Sequence, residues 1–459
     1  MLLSKTNFIH YLECPCRLWL EKMHKELVPP TNATTQRLFD QGNLIDEKAH
    51  ELFPGGFAVQ GYNLDGYNNT KHALAGEADV LYQPTIVVDG LSCRADILVR
   101  SGDGWDLHEV KMSTSISEDH YNDAAFQKMC FDRAGVKLNK VFLSHINNQY
   151  VRKGDIDVKE IFIDQDISGE VEARRGFVEE EVTKARLVYE WGNILQSEYV
   201  QQCKDPANCE WIKIWADTLS EDDRVTLLRG VTMSANKELP TLHIDKQGIR
   251  EELDRFEYPL YFFDYETYTT ALPPFNGYHP YQQIPFQFAV YVVEYPGAIP
   301  VTYDFLMKTF EDPVTPLLEM FKEVMGTKGT VISWNASFEK TRNKEMAQAY
   351  PEYAELLAAV NERTYDLMTI FKQGLYVDPA FGGSNSLKNV MPVLVPDLSY
   401  KNLAIQEGGT ASASWAIVTD PKLPQDERDM LYRDMIEYCR LDVYGMVRIL
   451  EVLREASAK

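Results

Sequence analysis

The chain has 459 residues, of which 45% are hydrophobic, 12% aromatic and 25% charged, so it is an ordinary folded protein, too long for one core and expected to form two or three domains. Its net charge of −23 excludes a surface coated in basic residues, while leaving room for a local basic groove beside acidic metal ligands. No apolar run reaches the length of a bilayer span and Met1 to Asn7 lacks a signal peptide's apolar core, so no membrane partner and a cytoplasmic location are expected.

Along the chain, Leu38 to Phe53 reads as a helix, and Ile86 to Val88 and Ala95 to Val99 as strands joined by the turn Asp89-Gly90. Trp105 to Lys111 reads as a further strand, Glu118 to Ala134 as a helix and Lys140 to Ser144 as a strand, giving an α/β domain over residues 1–165. A charged helix from Ile167 to Asn193 reads as a spacer, and residues 166–256 as a helical connector carrying Cys203 and Cys209. A second α/β unit over residues 257–459 has strands at Leu260 to Phe263, Phe286 to Glu294 and Thr330 to Trp334. No internal repeat is visible.

Two spacings carry chemistry in the second unit. Asp264 and Glu266 stand two apart at the end of an apolar run, so a strand presents both carboxylates on one face. Tyr438 and Asp442 stand four apart, which places them on one face of a helix. Converging carboxylates from distant elements make a hard-oxygen site for divalent metal, as phosphoryl chemistry requires. In the first unit Glu109 and Lys111 share a strand face after Asp96, setting a carboxylate beside an amine that can orient water or steady charge.

These motifs resemble two nuclease families. Asp96 followed by Glu109-Val110-Lys111 resembles the core of PD-(D/E)XK nucleases. Phe39 to Glu47 resembles the upstream helix of the RecB-like branch, with Asp46 where a metal-reaching His is usual and Glu47 beside it; either could ligate. Gln127 to Phe131 resembles the family's Gln-x-x-x-Tyr helix with Phe131 in place of Tyr, and Ser4-Lys5-Thr6, Cys14-Pro15 and Trp19 resemble the opening of RecB-like nucleases used in CRISPR adaptation. That resemblance implies a metal ligand set of Asp46, Asp96 and Glu109. It also implies an iron–sulfur cluster or zinc ion clamped by Cys14, Cys16, Cys203 and Cys209, although Trp215 stands where a third late cysteine would be sought. Seven cysteines without an export signal make structural disulfides an unlooked-for alternative, and plain buried thiols remain open.

Asp264 and Glu266, then Asn335 to Glu339, then Tyr438 and Asp442 resemble the three motifs of DEDD-type 3′–5′ exonucleases of the RNase H-like fold, in their tyrosine form. The resemblance implies that Asp264, Glu266, Glu339 and Asp442 hold two Mg²⁺ or Mn²⁺ ions, with Tyr438 orienting water; a phenol with a pKa of about 10 is a poor base at neutral pH. Glu339 stands where Asp is usual, and Asp366 competes for its role. Ser384 to Lys388 reads either as a substrate-contacting turn or as a helix N-cap, and Tyr265, Tyr268 and Phe338 either as base-stacking rings or as core.

Together the motifs resemble bacterial proteins of uncharacterised function that join an N-terminal RecB-like PD-(D/E)XK nuclease domain to a C-terminal RNase H-like exonuclease domain, a mixed sheet flanked by helices. The implied activity is a metal-dependent 3′–5′ exonuclease with nucleic acid as partner, DNA favoured over RNA. The alternative is a nucleic-acid-binding or regulatory protein with one or both sites inactive, motivated by the departures at Asp46, Phe131, Glu339 and Trp215.

Overall fold

The computed structural model describes residues 2–31, 33–190, 209–224, 241–400, 403, 405 and 408–458. The chain is mixed α/β and forms two compact units, residues 1–237 with 271–280, and residues 238–270 with 281–459.

In the first unit six strands pair in their chain order: β1 (Phe57–Ala58), β2 (Val80–Tyr82), β3 (Ile97–Ser101), β4 (Gly104–Lys111), β5 (Leu138–Ile146) and β6 (Phe162–Asp166). The helices that dress this unit are α1 (Lys5–Glu13), α2 (Pro15–Met23), α3 (Ala33–Ala49), α4 (Glu118–Arg133), α5 (Ser168–Ala173), α6 (Arg175–Leu187) and α7 (Glu210–Asp217). β3 and β4 form a hairpin over a two-residue turn opened by Gly102 at φ 56°. β4 and β5 run parallel, which demands a crossover, and α4 supplies it by burying Ala124, Ala125, Phe126, Met129, Cys130 and Phe131.

The turn at Asp89-Gly90 forms, with both residues at positive φ, but it joins Thr85–Val88 to Leu91–Arg94. This corrects the expected pairing with Ala95 to Val99. The chain breaks at Ala95-Asp96 before β3 begins, so Asp96 stands just ahead of the strand, where its Oδ2 accepts a hydrogen bond from Val110 N at 2.8 Å. Leu3–Ser4 adds in parallel to Leu91–Arg94, and Ser4 caps α1 by accepting from Asn7 N. That short pairing fixes the start of α1, and with it Lys5.

The charged stretch after residue 166 is not a free spacer. Val171, Val178, Val182 and Ala185 line one side of α5 and α6 and lie in the first unit's core, with Glu and Arg on the solvated side. Ile212, Trp215 and Ala216 of α7 join the same core. The expected connector thus divides: its described helices through α7 belong to the first unit, and residues from 238 onward to the second.

The second unit holds five strands, β7 (Leu260–Tyr268), β8 (Ile284–Val293), β9 (Val301–Leu306), β10 (Thr330–Ser333) and β11 (Thr364–Asp366), in the order β9-β8-β7-β10-β11. β7 lies at the centre, antiparallel to β8 and parallel to β10, so both its edges are paired, and its apolar run continues as largely buried strand through the Asp-Tyr-Glu motif. A register shift follows Glu266, and pairing resumes at Thr267 with Pro285 and Tyr268 with Ile284, so the ladder is irregular beside the acidic pair. Three helices frame this end of the sheet: α8 (Ser337–Ala349), α9 (Leu387–Leu394) and the 34-residue α10 (Gln425–Ala458), which packs on β7 and β8. No helix among the described residues is long and apolar enough to cross a membrane.

Candidate functional site

In the second unit the acidic residues expected to act together do meet. Asp264 and Glu266 come from β7, Glu339 from the first turn of α8 and Asp442 from the middle of α10; Glu339 is 2% exposed, Glu266 6% and Asp442 8%. The carboxyls of Asp264 and Glu339 are in hydrogen-bond contact, so Glu339 faces the pair on β7. Its second oxygen, Oε2, is buried without a hydrogen-bond partner. Asp366 is otherwise engaged: its Oδ1 accepts from Asn335 N at 2.8 Å and Met368 N at 3.1 Å. It thereby holds the left-handed turn at Asn335 (φ 62°) from which α8 starts, and Glu339 takes the place nearer the pair.

Burial and mutual repulsion govern the protons. Burial raises Asp264 to about 6 despite its hydrogen bond to Glu339. Burial, then repulsion from Asp264, raises Asp442 to about 7 and Glu339 to about 10, and lifts Glu266 well above the carboxylate range. Tyr438 reaches Asp442 by a hydrogen bond, and burial followed by that carboxylate raises its phenol, which therefore stays protonated and serves as a donor. Three further neighbours join the site. Tyr400 donates to Asp442 Oδ1; Cys439 brings its buried thiol within 4.8 Å of carboxylate oxygens of Asp264 and Glu266; Lys388 sets Nζ 5.8 Å and 5.7 Å from the ring centres of Tyr400 and Tyr438. Cys439 shares a helix face with Asp442, three residues on, which is the pattern that could have found it.

The rings considered for base stacking are mostly core. Tyr265 is 3% exposed and donates to Asn343 Oδ1, and Tyr268 packs edge-on to Trp415. Arg342 stacks on Phe338 and pairs with Glu345 at 2.9 Å.

In the first unit Asp96, Glu109 and Lys111 assemble at the junction of β3 and β4, with Asp123, Gln127 and Lys5 added. Glu109 Oε1 receives Lys5 Nζ and Lys111 Nζ, each at 2.7 Å, while Oε2 accepts from Gln127 Nε2 at 2.7 Å. Lys111 also pairs with Asp123 at 2.5 Å. Burial pushes the Glu109 carboxyl up, but Lys111 and Lys5 outweigh it and hold the group well below the usual range. Asp96 lies on the opposite side of this balance: burial, then Glu109 and Asp46, raise it well above. Asp46 on α3 is raised to about 6 by burial and by Glu109, whereas its neighbour Glu47 is exposed. Of those two candidates, the structure brings Asp46 to the cluster. Phe131 is core, so the ring one turn beyond Gln127 serves packing.

Three of the four expected cysteine ligands converge. Cys14, between α1 and α2, is in hydrogen-bond contact with Cys16 and with Cys209, which precedes α7; contact with Cys16 is the main cause that lifts its thiol to about 11. Cys16 Sγ lies 3.6 Å from Trp211 O. Cys203 lies outside the described residues. Trp215 packs edge-on to Trp19, so its indole fastens α7 to α2.

Residues 261–386 match the profile of DUF2779, a domain of unknown function. The span includes Asp264, Glu266 and Glu339 and ends before Lys388, Tyr438 and Asp442. The chain is 25% identical over 218 residues to uncharacterized protein MG366 of Mycoplasma genitalium, covering 43% of this chain and 32% of that one. It is 26% identical over 215 residues to uncharacterized protein UU173 of Ureaplasma parvum serovar 3, covering 41% and 30%. The matched region thus spans about a third of the length of these curated relatives. Among solved structures, the crystal structure of SSO0001 matches at a TM-score of 0.24 and 15% identity, over 46% of this chain and 86% of that one.

Proposed function

We propose that the protein is a metal-dependent nuclease whose second unit removes nucleotides from the 3′ end of a DNA strand. The observation that carries this reading is the buried meeting of Asp264, Glu266, Glu339 and Asp442, with Glu339 Oε2 left without a partner. Buried polar atoms are almost always satisfied, so an orphaned carboxylate oxygen among like charges suits a cation. The strand order β9-β8-β7-β10-β11, three antiparallel strands followed by two parallel ones, is the order that an RNase H-like sheet has and supports the same reading. Asp264, Glu266, Glu339 and Asp442 would hold Mg²⁺ or Mn²⁺, which when bound supplies an acidified water and charge stabilisation at the leaving 3′ oxygen. Tyr438, held protonated, donates toward the reacting water or phosphate and orients it. Tyr400 fixes Asp442 from the other side.

The first unit is a second phosphodiester site of the PD-(D/E)XK type, with Asp46, Asp96 and Glu109 as ligands and Lys111 beside them. For this unit a binding role without cleavage is the second reading, favoured by the two ammonium groups that already neutralise Glu109. Cys14, Cys16 and Cys209, with Cys203, would hold an iron–sulfur cluster or zinc that ties α2 to α7. Cys14 in contact with both Cys16 and Cys209 supports such a group.

The test is digestion of end-labelled single- and double-stranded DNA and RNA with Mg²⁺ or Mn²⁺, using wild type, Asp264→Ala, Glu109→Ala and the double variant. Metal-dependent loss of 3′-terminal nucleotides that disappears in Asp264→Ala is expected. Absence of any metal-dependent product from wild type would overturn the reading. Survival of all cleavage in Glu109→Ala would assign the first unit to binding.

A further inference from the structure

The acidic centre of the second unit poses an electrostatic problem for its own substrate. Asp264, Glu266, Glu339 and Asp442 would carry four negative charges when ionised, and a phosphodiester adds another. Two divalent cations neutralise the carboxylates and leave no excess for the strand. A cation beside the carboxylates would supply it, and one is present. Lys388 is exposed at the start of α9, and its Nζ sits almost equidistant from the faces of Tyr400 and Tyr438, the two residues whose hydroxyls bracket Asp442. Its charge acts on both Glu266 and Asp442.

We infer that Lys388 is the phosphate-binding cation of this site, contacting a non-bridging oxygen of the 3′-terminal phosphodiester while the two tyrosine rings hold its Nζ over the pocket. The inference rests on the nuclease reading of the same carboxylates, and its test keeps the two apart. A 5′-labelled single-stranded oligothymidine is titrated with the full-length protein in Ca²⁺ at several KCl concentrations, comparing wild type, Lys388→Met and Lys388→Arg by fluorescence anisotropy. In parallel, Mn²⁺ binding without DNA is measured by calorimetry, and Mn²⁺-dependent cleavage is followed.

Loss of one phosphate contact lowers the slope of log K against log salt by about 0.7 for a single strand. Lys388→Met should show that drop together with binding weakened about tenfold or more, Lys388→Arg should restore most of both, and Mn²⁺ affinity should be kept or improved. An unchanged salt slope, or an equal loss of Mn²⁺ affinity, would overturn the inference. If wild type fails to cleave but the salt-slope difference stands, the nuclease reading falls and the phosphate contact remains. If wild type binds no oligonucleotide, both fall.

Discussion

At the scale of single residues, Glu339 is where burial and charge conflict most openly. Its carboxyl is raised to about 10 by burial and then by Asp264, so in the metal-free protein it holds a proton that a divalent cation has to displace. Glu339→Gln keeps the shape and removes that titration. Its expected outcome is a metal-free protein at pH 8 that melts no lower than wild type, with kcat in Mn²⁺ reduced about 100-fold, the size typical of removing one electrostatic group from a transition state. Differential scanning calorimetry beside steady-state cleavage checks both halves; a destabilised variant with full activity would contradict them. In the first unit Gln127→Leu leaves Glu109 Oε2 without its donor, and stability should fall by about 1–3 kcal/mol, read from the urea midpoint. Residues such as Asp264, Glu266, Tyr438 and Asp442 were legible because two- and four-residue spacings translate directly into shared faces. Tyr400, Lys388, Asp123 and Lys5 were not placeable that way, since each reaches its site from an element whose position depends on tertiary packing.

At the scale of elements, the turn from β10 into α8 decides where Glu339 points. Asp366 closes it by accepting from Asn335 N, and Asn335 takes the left-handed conformation that residues other than Gly, Asn and Asp resist. Asp366→Ala should therefore cost about 1–3 kcal/mol of stability, lower cleavage by letting Glu339 wander, and leave the number of Mn²⁺ ions bound per chain unchanged. Loss of one bound ion in calorimetry would instead make Asp366 a ligand. Long periodic elements such as α3, α4 and β4 were readable from apolar spacing, within a few residues at their ends. The break at Ala95-Asp96 was not, because a lone Asp without Gly, Pro or Asn beside it is a weak turn signal inside an apolar run. The chain leaves strand geometry there to let Asp96 meet Val110 N, a contact with another strand. The α5–α6 stretch misled for a related reason. Its charges dominate the composition, yet four small apolar residues at helical spacing bind it to the core.

At the scale of the whole molecule, the acidic centre of the second unit and Glu109 of the first give opposite pH responses, while Asp46 and Asp96, raised like the carboxyls of the second unit, offset Glu109 in part. In the second unit Asp264, Asp442 and Glu339 are raised to about 6, 7 and 10, so between the ordinary carboxylate range and these values the folded state binds more protons than the unfolded one. Stability from these groups is complete at acid pH, below their unfolded pKa values, and is lost as pH rises through the folded values. In the first unit Glu109 is depressed, so its contribution is present above its unfolded pKa and is lost as pH falls toward its folded value. Without metal, the unfolding transition that includes β7 and α10 should therefore move to lower temperature between pH 5.5 and pH 8. Divalent cations compete with the same protons, so stabilisation by Mn²⁺ should grow over that interval, following the logarithm of metal concentration over its dissociation constant. Calorimetric scans at both pH values, with and without Mn²⁺, test this, and hydrogen exchange in β7 and α10 assigns the transition to the second unit. Asp264→Asn should flatten the pH response and weaken the Mn²⁺ effect, while Glu109→Gln leaves both in place. A metal-free second-unit transition that rises from pH 5.5 to pH 8 would mean that these carboxyls are charged and satisfied within the protein, and that the cluster has no need of a cation.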